Sequence, residues 1–265
     1  MSCLLRILSL NIWHTRGPWR QRLALIREGL QTLSPDLIGL QEVLSRDGRS
    51  QADEIAEGLG YHVAFGPAAT YDDGEQFGNA VLSRLPIVRS QVFPLPDGGT
   101  TQRRSLLLTE CASPVGAIPF LVTHLNWRFH EGVVREAQAV ALAALLKAHA
   151  PVAGMPPILV GDFNAQPESA EIRYLKGLQS LNGTSVFLAD CFGWVGQGAA
   201  ETFDPRSNRF AGNEREYPRR IDYVFVRGPK QDGSGTPLTA RVVLKDPRDG
   251  VWASDHYGVL AEVEL

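Results

Sequence analysis

The chain has 265 residues, 44% of them hydrophobic, which is enough to bury a sizeable core. Its net charge of -3 argues against a non-specific nuclease, because gripping long nucleic acid needs many cations on one face. No run of about 18 apolar residues exists to span a membrane, and Cys3, Cys111 and Cys191 lie too far apart, without CxxC spacing, for a disulfide framework or a zinc site.

Nothing at the N-terminus, MSCLLRILSLNIW, has the build of a signal peptide, so a cytoplasmic setting is expected. No linker, charge run or fixed-period repeat divides the chain, so a single domain over 1–265 is expected. Residues 4–10 form a short apolar run that ends at Asn11. Residues 18–33 read as a helix with Trp19, Leu23, Ile26, Leu30 and Leu33 on its packing face. The run 36–40 leads into Gln41-Glu42, and His62 sits at a strand start. Residues 117–123 lead into His124. A second helix, 131–149, places Val133, Val134, Ala137, Val140, Ala144 and Leu145 on its packing face and ends at His149. Residues 157–160 lead into Gly161-Asp162-Phe163-Asn164. Towards the C-terminus, Asp222 opens the apolar run DYVFV, and Ser254-Asp255-His256 precedes GVLAEVEL.

These runs are buried-strand signals interleaved with helices, which argues for a layered α/β or α+β domain. One strand ending in an acid carries no information. Six bearing Asn, Glu, His, Asp/Asn, Asp and Asp-His make the inventory of a hydrolytic metal site, provided the last two strands run antiparallel to the first four.

The motifs LSLNIW, LIGLQEV, GNAVLSR, FLVTHLN, LVGDFN, RIDYVFV and ASDHYGVL occur in this order over residues 8–260. Together they resemble the endonuclease/exonuclease/phosphatase superfamily, with its deoxyribonuclease-like, apurinic endonuclease and sphingomyelinase branches. The resemblance implies a four-layered α/β/β/α sandwich of two packed mixed sheets, and hydrolysis of a phosphate ester with Mg²⁺, or with Mn²⁺, which accepts the same oxygen ligands. It implies Glu42 as metal ligand, with Asn11 and Asp255 beside the metal. It implies His256 paired to Asp222, Asp162 and Asn164 handling the attacking water and a phosphate oxygen, and His124 stabilising the phosphate or the leaving group. Asp162 and His256 are both candidates for the general base. No clear acid partners His124; Glu75 is the nearest candidate. Asn79, in GNAVLSR, holds a family-typical place beside the site. His14, His62, His130 and His149 are given no catalytic role.

Two loops after strand ends carry aromatics and arginines: Trp13 to Trp19, and Trp127-Arg128-Phe129-His130. Aromatics of this kind stack on a base or take a choline-like group. Arg103 and Arg104 precede the strand SLLLTE, where a guanidinium can meet a phosphate. Asn79, Arg104 and Trp127 are therefore the expected substrate contacts. The chain lacks long basic insertions, so the expected substrate is a small phosphodiester of nucleotide or lipid-head-group type. A nuclease, a phosphomonoesterase and a non-catalytic binding protein are the alternatives.

Overall fold

A computed structural model describes residues 4–150, 154–214 and 216–265. The first half runs β1 (Leu4–Asn11), α1 (Trp19–Leu33), β2 (Leu37–Arg46), β3 (Arg49–Ser50), α2 (Gln51–Ala56), β4 (His62–Thr70), β5 (Gln76–Ser83) and β6 (Ile87–Pro94). The middle runs β7 (Ser105–Ser113), β8 (Gly116–His124), α3 (Gly132–His149), β9 (Ile158–Asp162) and α4 (Ala170–Leu175). The chain closes with β10 (Ala189–Asp190), α5 (Cys191–Val195), β11 (Gly196–Gln197), β12 (Asp222–Val226), β13 (Pro237–Val243) and β14 (Gly258–Glu264).

The strands form two mixed sheets. One has the order β11-β13-β14-β1-β2-β5-β4, with β3 on β2; the other has the order β10-β12-β9-β8-β7-β6. Leu5, Ile7, Leu37, Val122, Val160, Val224 and Val259 fill the space between them. Leu8, Leu10, Ile38 and Leu40 turn the other way, onto Ile26 and Leu30 of α1 and Ile55 of α2. Leu121, Leu159 and Phe225 pack against Leu142 and Leu146 of α3 and Ile172 of α4. The result is the expected helix/sheet/sheet/helix sandwich. The sheets pack tightly at Gly39, where a Cβ would overlap Cγ2 of Val160.

The period of two along each strand decides what reaches the end of the sandwich. Leu5 and Ile7 point inward, and so does Asn11 four residues on. By the same parity Ile118, Phe120 and Val122 deliver His124, Ile158 and Val160 deliver Asp162, and Val224 implies Asp222. Parallel pairing sets His124 opposite Asp162, and antiparallel pairing sets Asp222 opposite Asp162.

Two local expectations are corrected. The second strand does not stop at Gln41-Glu42. It continues to Arg46 through an irregularity between Leu40 and Val43, where Glu42 takes φ 58°. This bulge turns the carboxylate out of the alternation, and bulges commonly re-aim a side chain in this way. The packing face of α3 is also not the expected one: Val133 is 78% exposed, while Leu142, Leu146, Arg135 and Gln138 are buried. The two polar side chains can face inward because both have partners. Arg135 Nε donates to Glu171 at 2.6 Å, and Gln138 Nε2 donates to Asn126 Oδ1 at 2.8 Å.

Cys111 and Cys191 are buried free thiols, and Cys3 lies outside the described residues. Among the described residues no helix is long and apolar enough to cross a membrane.

Candidate active site

At one end of the sandwich the side chains delivered by strand parity meet in a chain of hydrogen bonds. Asn11 Nδ2 donates to Asp162 Oδ2 at 3.0 Å and to Glu42 Oε1 at 3.2 Å, bridging the two sheets. The Asn164 backbone N–H donates to Asp162 Oδ1 at 2.9 Å, in an Asx turn that places Asn164 at φ 51°. Asp222 Oδ2 lies 2.9 Å from His256 Nδ1. Asp162 Oδ2 sits between two imidazoles, 3.5 Å from His124 Nε2 and 3.7 Å from His256 Nε2.

The two histidines differ in charge state. Burial alone would lower the His256 pKa, but the carboxylates of Asp222 and Asp162 override it and hold the imidazole well above its usual value. His256 is therefore an imidazolium at neutral pH. His124 is pushed well below the usual value by burial, Arg104 and His256, and stays neutral. Asp162 is raised to about 6 by burial and by Asp222, against the pull of His256 and the hydrogen bonds from Asn11 and Asn164.

The cavity, of about 290 Å³, is lined by the guanidinium groups of Arg16, Arg104 and Arg219 as well as by the carboxylates of Glu42, Asp162, Glu216 and Asp255. Arg104 Nη1 and Asn164 Nδ2 both approach His124, at 3.1 Å from Nδ1 and Nε2. A neutral ring can accept from only one of them. Arg104 is buried, its Nε has no partner, and no carboxylate is hydrogen-bonded to it. A buried guanidinium nitrogen without a partner suits a bound anion.

Two sets of side chains can take a divalent cation. Asp162, Asp222 and His256 offer ligand atoms within 4.8 Å of one another, but a proton already bridges Asp222 and His256. Glu42, Asn11 and Asp255 are all oxygen donors, as Mg²⁺ requires. Asp255 is raised to about 7 by burial and, against the pull of His256, by the Glu42 charge. Glu42, on a positive-φ bulge, and the buried carboxyl of Asp255, which the Glu42 charge helps to raise, fit a site completed by a cation.

The other expected residues divide. Arg104 and Trp127 line the cavity. Asn79 lies outside that lining; its amide donates to Ser105 O at 3.1 Å and ties β5 to β7. Glu75 does not pair with His124; it sits 3.5 Å from Arg46, and Arg104 holds the His124 ring nitrogen instead. Arg103 turns to Asp97 at 2.9 Å. His14, given no role from sequence, lines the cavity with Nε2 4.0 Å from Glu42. The sequence reading also passed over Phe77, Phe203 and Arg219, which line it too. Phe203 meets the His256 ring edge-on at 5.1 Å. Arg219 lies over Phe129, Phe203 and Tyr217. The stretch around Phe203 and Arg219 has no period to read; its one signal is the density of arginines and aromatics just before Asp222.

The fold is shared with known proteins. No curated protein sequence matches significantly. Among solved structures, an endonuclease/exonuclease/phosphatase from Beutenbergia cavernae is 25% identical with TM-score 0.72, over 99% of this chain and 72% of that one. A Bacteroides vulgatus endonuclease/exonuclease/phosphatase superposes at TM-score 0.77 with 18% identity, over 99% of both chains. D. rerio TDP2 complexed with a single-strand DNA product superposes at 0.71 with 22% identity, over 98% of both chains. The two less identical structures attest the fold alone. The family model of the Endonuclease/Exonuclease/phosphatase family, whose members hydrolyse phosphoester bonds, matches residues 8–256, and the chain belongs to that family.

Proposed function

We propose that the chain is a divalent-metal-dependent phosphodiesterase, with Asp162 as general base and His256 as a protonated donor to the phosphoryl group. What carries the reading is the charge pattern around Asp162: an ionisable carboxylate with a pKa of about 6, flanked by one charged and one neutral imidazole. A base must have room for a proton, and His256 already holds one. Asp162 takes a proton from the attacking water, which forms the new P–O bond as the ester P–O bond opposite breaks. Asp222 keeps the His256 ring oriented and charged. His256, Asn164 and Arg104 donate to the oxygens that gain charge in the transition state. Glu42 and Asp255, with Asn11 alongside, would hold Mg²⁺ or Mn²⁺, which would supply positive charge near the phosphoryl oxygens.

The test is turnover of bis(p-nitrophenyl) phosphate. EDTA should lower the rate by at least about 10²-fold, since the cation offsets several kcal/mol of developing charge. Added Mg²⁺ or Mn²⁺ should restore it, and Glu42→Ala should not respond. Metal-independent turnover would overturn the assignment. No turnover of the diester, of its monoester or of DNA, in a folded protein that binds metal, would favour the non-catalytic alternative.

A small diester of nucleotide or lipid-head-group type fits the 290 Å³ cavity. One observation favours single-stranded nucleic acid as a second reading. Trp127, Phe129 and Tyr217 are each about half exposed at the mouth, with Arg128 over Trp127 and Arg219 over the stacked Phe129 and Tyr217. Stacking a base on such a ring is worth about 1–3 kcal/mol. Tyr217→Ala should then raise KM for a short oligonucleotide roughly 5- to 100-fold at unchanged kcat, while sparing the small aryl diester. Equal KM values for both proteins would leave the small-diester reading standing.

A further inference from the structure

The second face of the molecule holds a cavity that the proposed chemistry does not use. It measures about 550 Å³ and lies between the C-terminal half of α3, α4 and the segment 184–187. That volume is in the range of small-molecule sites. Its position in the fold separates it from the catalytic end. β12 begins at Asp222, inside the candidate active site, and Arg227 directly after its last residue lines this cavity. Five strand steps make a distance of roughly 17 Å along the sheet.

The lining has two characters. Val140, Ala143 and Val186 give it an apolar floor, and Phe187, 51% exposed, gives it an aromatic wall. Tyr174 Oη and Thr184 Oγ1, 2.9 Å apart, satisfy one another and ask for nothing. The cations are different. Lys147 and Arg227 both line the cavity, and neither makes an ion pair among the described residues. Nη1 of Arg227 is shielded from solvent and has no hydrogen-bond partner. A buried donor without an acceptor is costly, and a charged one more so. An acceptor supplied by a ligand removes that cost, and Lys147 sets the sign of the ligand's charge. An apolar body then rests on the α3 floor against Phe187.

We propose that this cavity is a binding site for a freely diffusing small amphiphilic anion, a carboxylate or sulfonate on an apolar or aromatic body, held by Arg227 and Lys147. The inference does not rest on the phosphodiesterase assignment, because no residue of the active site takes part.

The probe is anilinonaphthalene sulfonate, followed by its own fluorescence on the full chain. It should bind saturably at one site, and Arg227→Met should weaken it by at least about tenfold, the loss expected for a charge-assisted hydrogen bond. Decanoate should displace it, and decanol should not at the same concentration. Ala144→Trp, on an exposed position that lines the cavity, should abolish binding without a change in thermal stability. That variant keeps the test open if Arg227→Met fails to fold. Tyr217→Ala, at the aromatic mouth of the other cavity, should leave binding unchanged. Binding that survives Ala144→Trp, that falls with Tyr217→Ala, or that decanol displaces as well as decanoate would each overturn the proposal, as would the absence of saturable binding. Diester turnover by Ala144→Trp should match that of the parent chain, so failure here and failure of the phosphodiesterase reading are read separately.

Discussion

Asp162→Asn should lower kcat for a phosphodiester by about 10³-fold while leaving the melting temperature unchanged or higher. The first half follows from the base assignment, for which losses of roughly 10²–10⁴ are typical. Asn has nearly the same shape, and its carbonyl oxygen can still accept from Asn11 or Asn164, but it cannot take a proton from water. The second half follows from electrostatics. Asp162 is buried beside Asp222, and both burial and that neighbour raise its pKa. A neutral amide removes like-charge repulsion and the cost of a buried carboxylate, the pattern expected where function is held against stability. Loss of activity with intact or improved stability separates a catalytic role from a folding defect.

The pH profile supplies the second half of that test. The base must be deprotonated, so kcat/KM should fall as pH drops through its pKa. That value is about 6 for Asp162 before any cation is counted, and a bound cation lowers it further. The acid limb should therefore lie at about pH 6 or below, with unit slope, and be absent from the residual rate of Asp162→Asn. If that variant keeps more than about a tenth of the parent rate, Asp162 orients the water rather than deprotonating it. The base is then His256, whose pKa well above 6.5 would place the limb correspondingly higher.

What the sequence made legible follows from one rule. Asn11, His124 and Asp162 end apolar runs, and Asp222 opens one; parity along each run aims the side chain inward at the same end of the sandwich. Strand composition and a period of two suffice to find them. Glu42 was identified by its motif, but its geometry was not, because a bulge breaks the alternation that would have predicted its direction. The α3 face departs from its apolar pattern because Arg135 and Gln138 are buried on partners remote in sequence. The arginines and aromatics of the rim belong to loops, where no period exists and only tertiary packing decides what faces the cavity. Asn79 shows the converse: it lies in a family-typical motif, and its amide serves the contact between β5 and β7.

Arg22→Met should cost about 3–5 kcal/mol of stability, the range for stripping one partner from a buried charged network. In a chain of this size that corresponds to roughly 10 °C in melting temperature. Arg22 is fully buried, between the rings of Trp13 and Trp19 at 5.1 and 5.2 Å. It spends its five N–H groups on five backbone carbonyls: Ile12, Trp13, His14, Arg16 and Ala253. Burial lowers its pKa to about 10, so the guanidinium stays charged at neutral pH. The carbonyls it holds belong to two segments that matter. Trp13 and His14 are consecutive residues at positive φ, a strained turn that begins two residues after Asn11. Ala253 stands two residues before Asp255. One side chain thus fixes the exit of β1 and the approach to the proposed metal carboxylates, and its charge acts on both Asp255 and Glu42. The sequence carries a signal for it: Arg22 stands three residues after Trp19 and four before Ile26, on the apolar face of α1, where a charge needs a reason. Arg22→Lys should recover only part of the loss, since an ammonium has three donors and no planar fork. If the role is to hold the site as well as the fold, Arg22→Lys, assayed at a temperature where it is fully folded, should need more Mg²⁺ for half-maximal turnover. An unchanged Mg²⁺ requirement in a folded, destabilised variant would confine Arg22 to the scaffold.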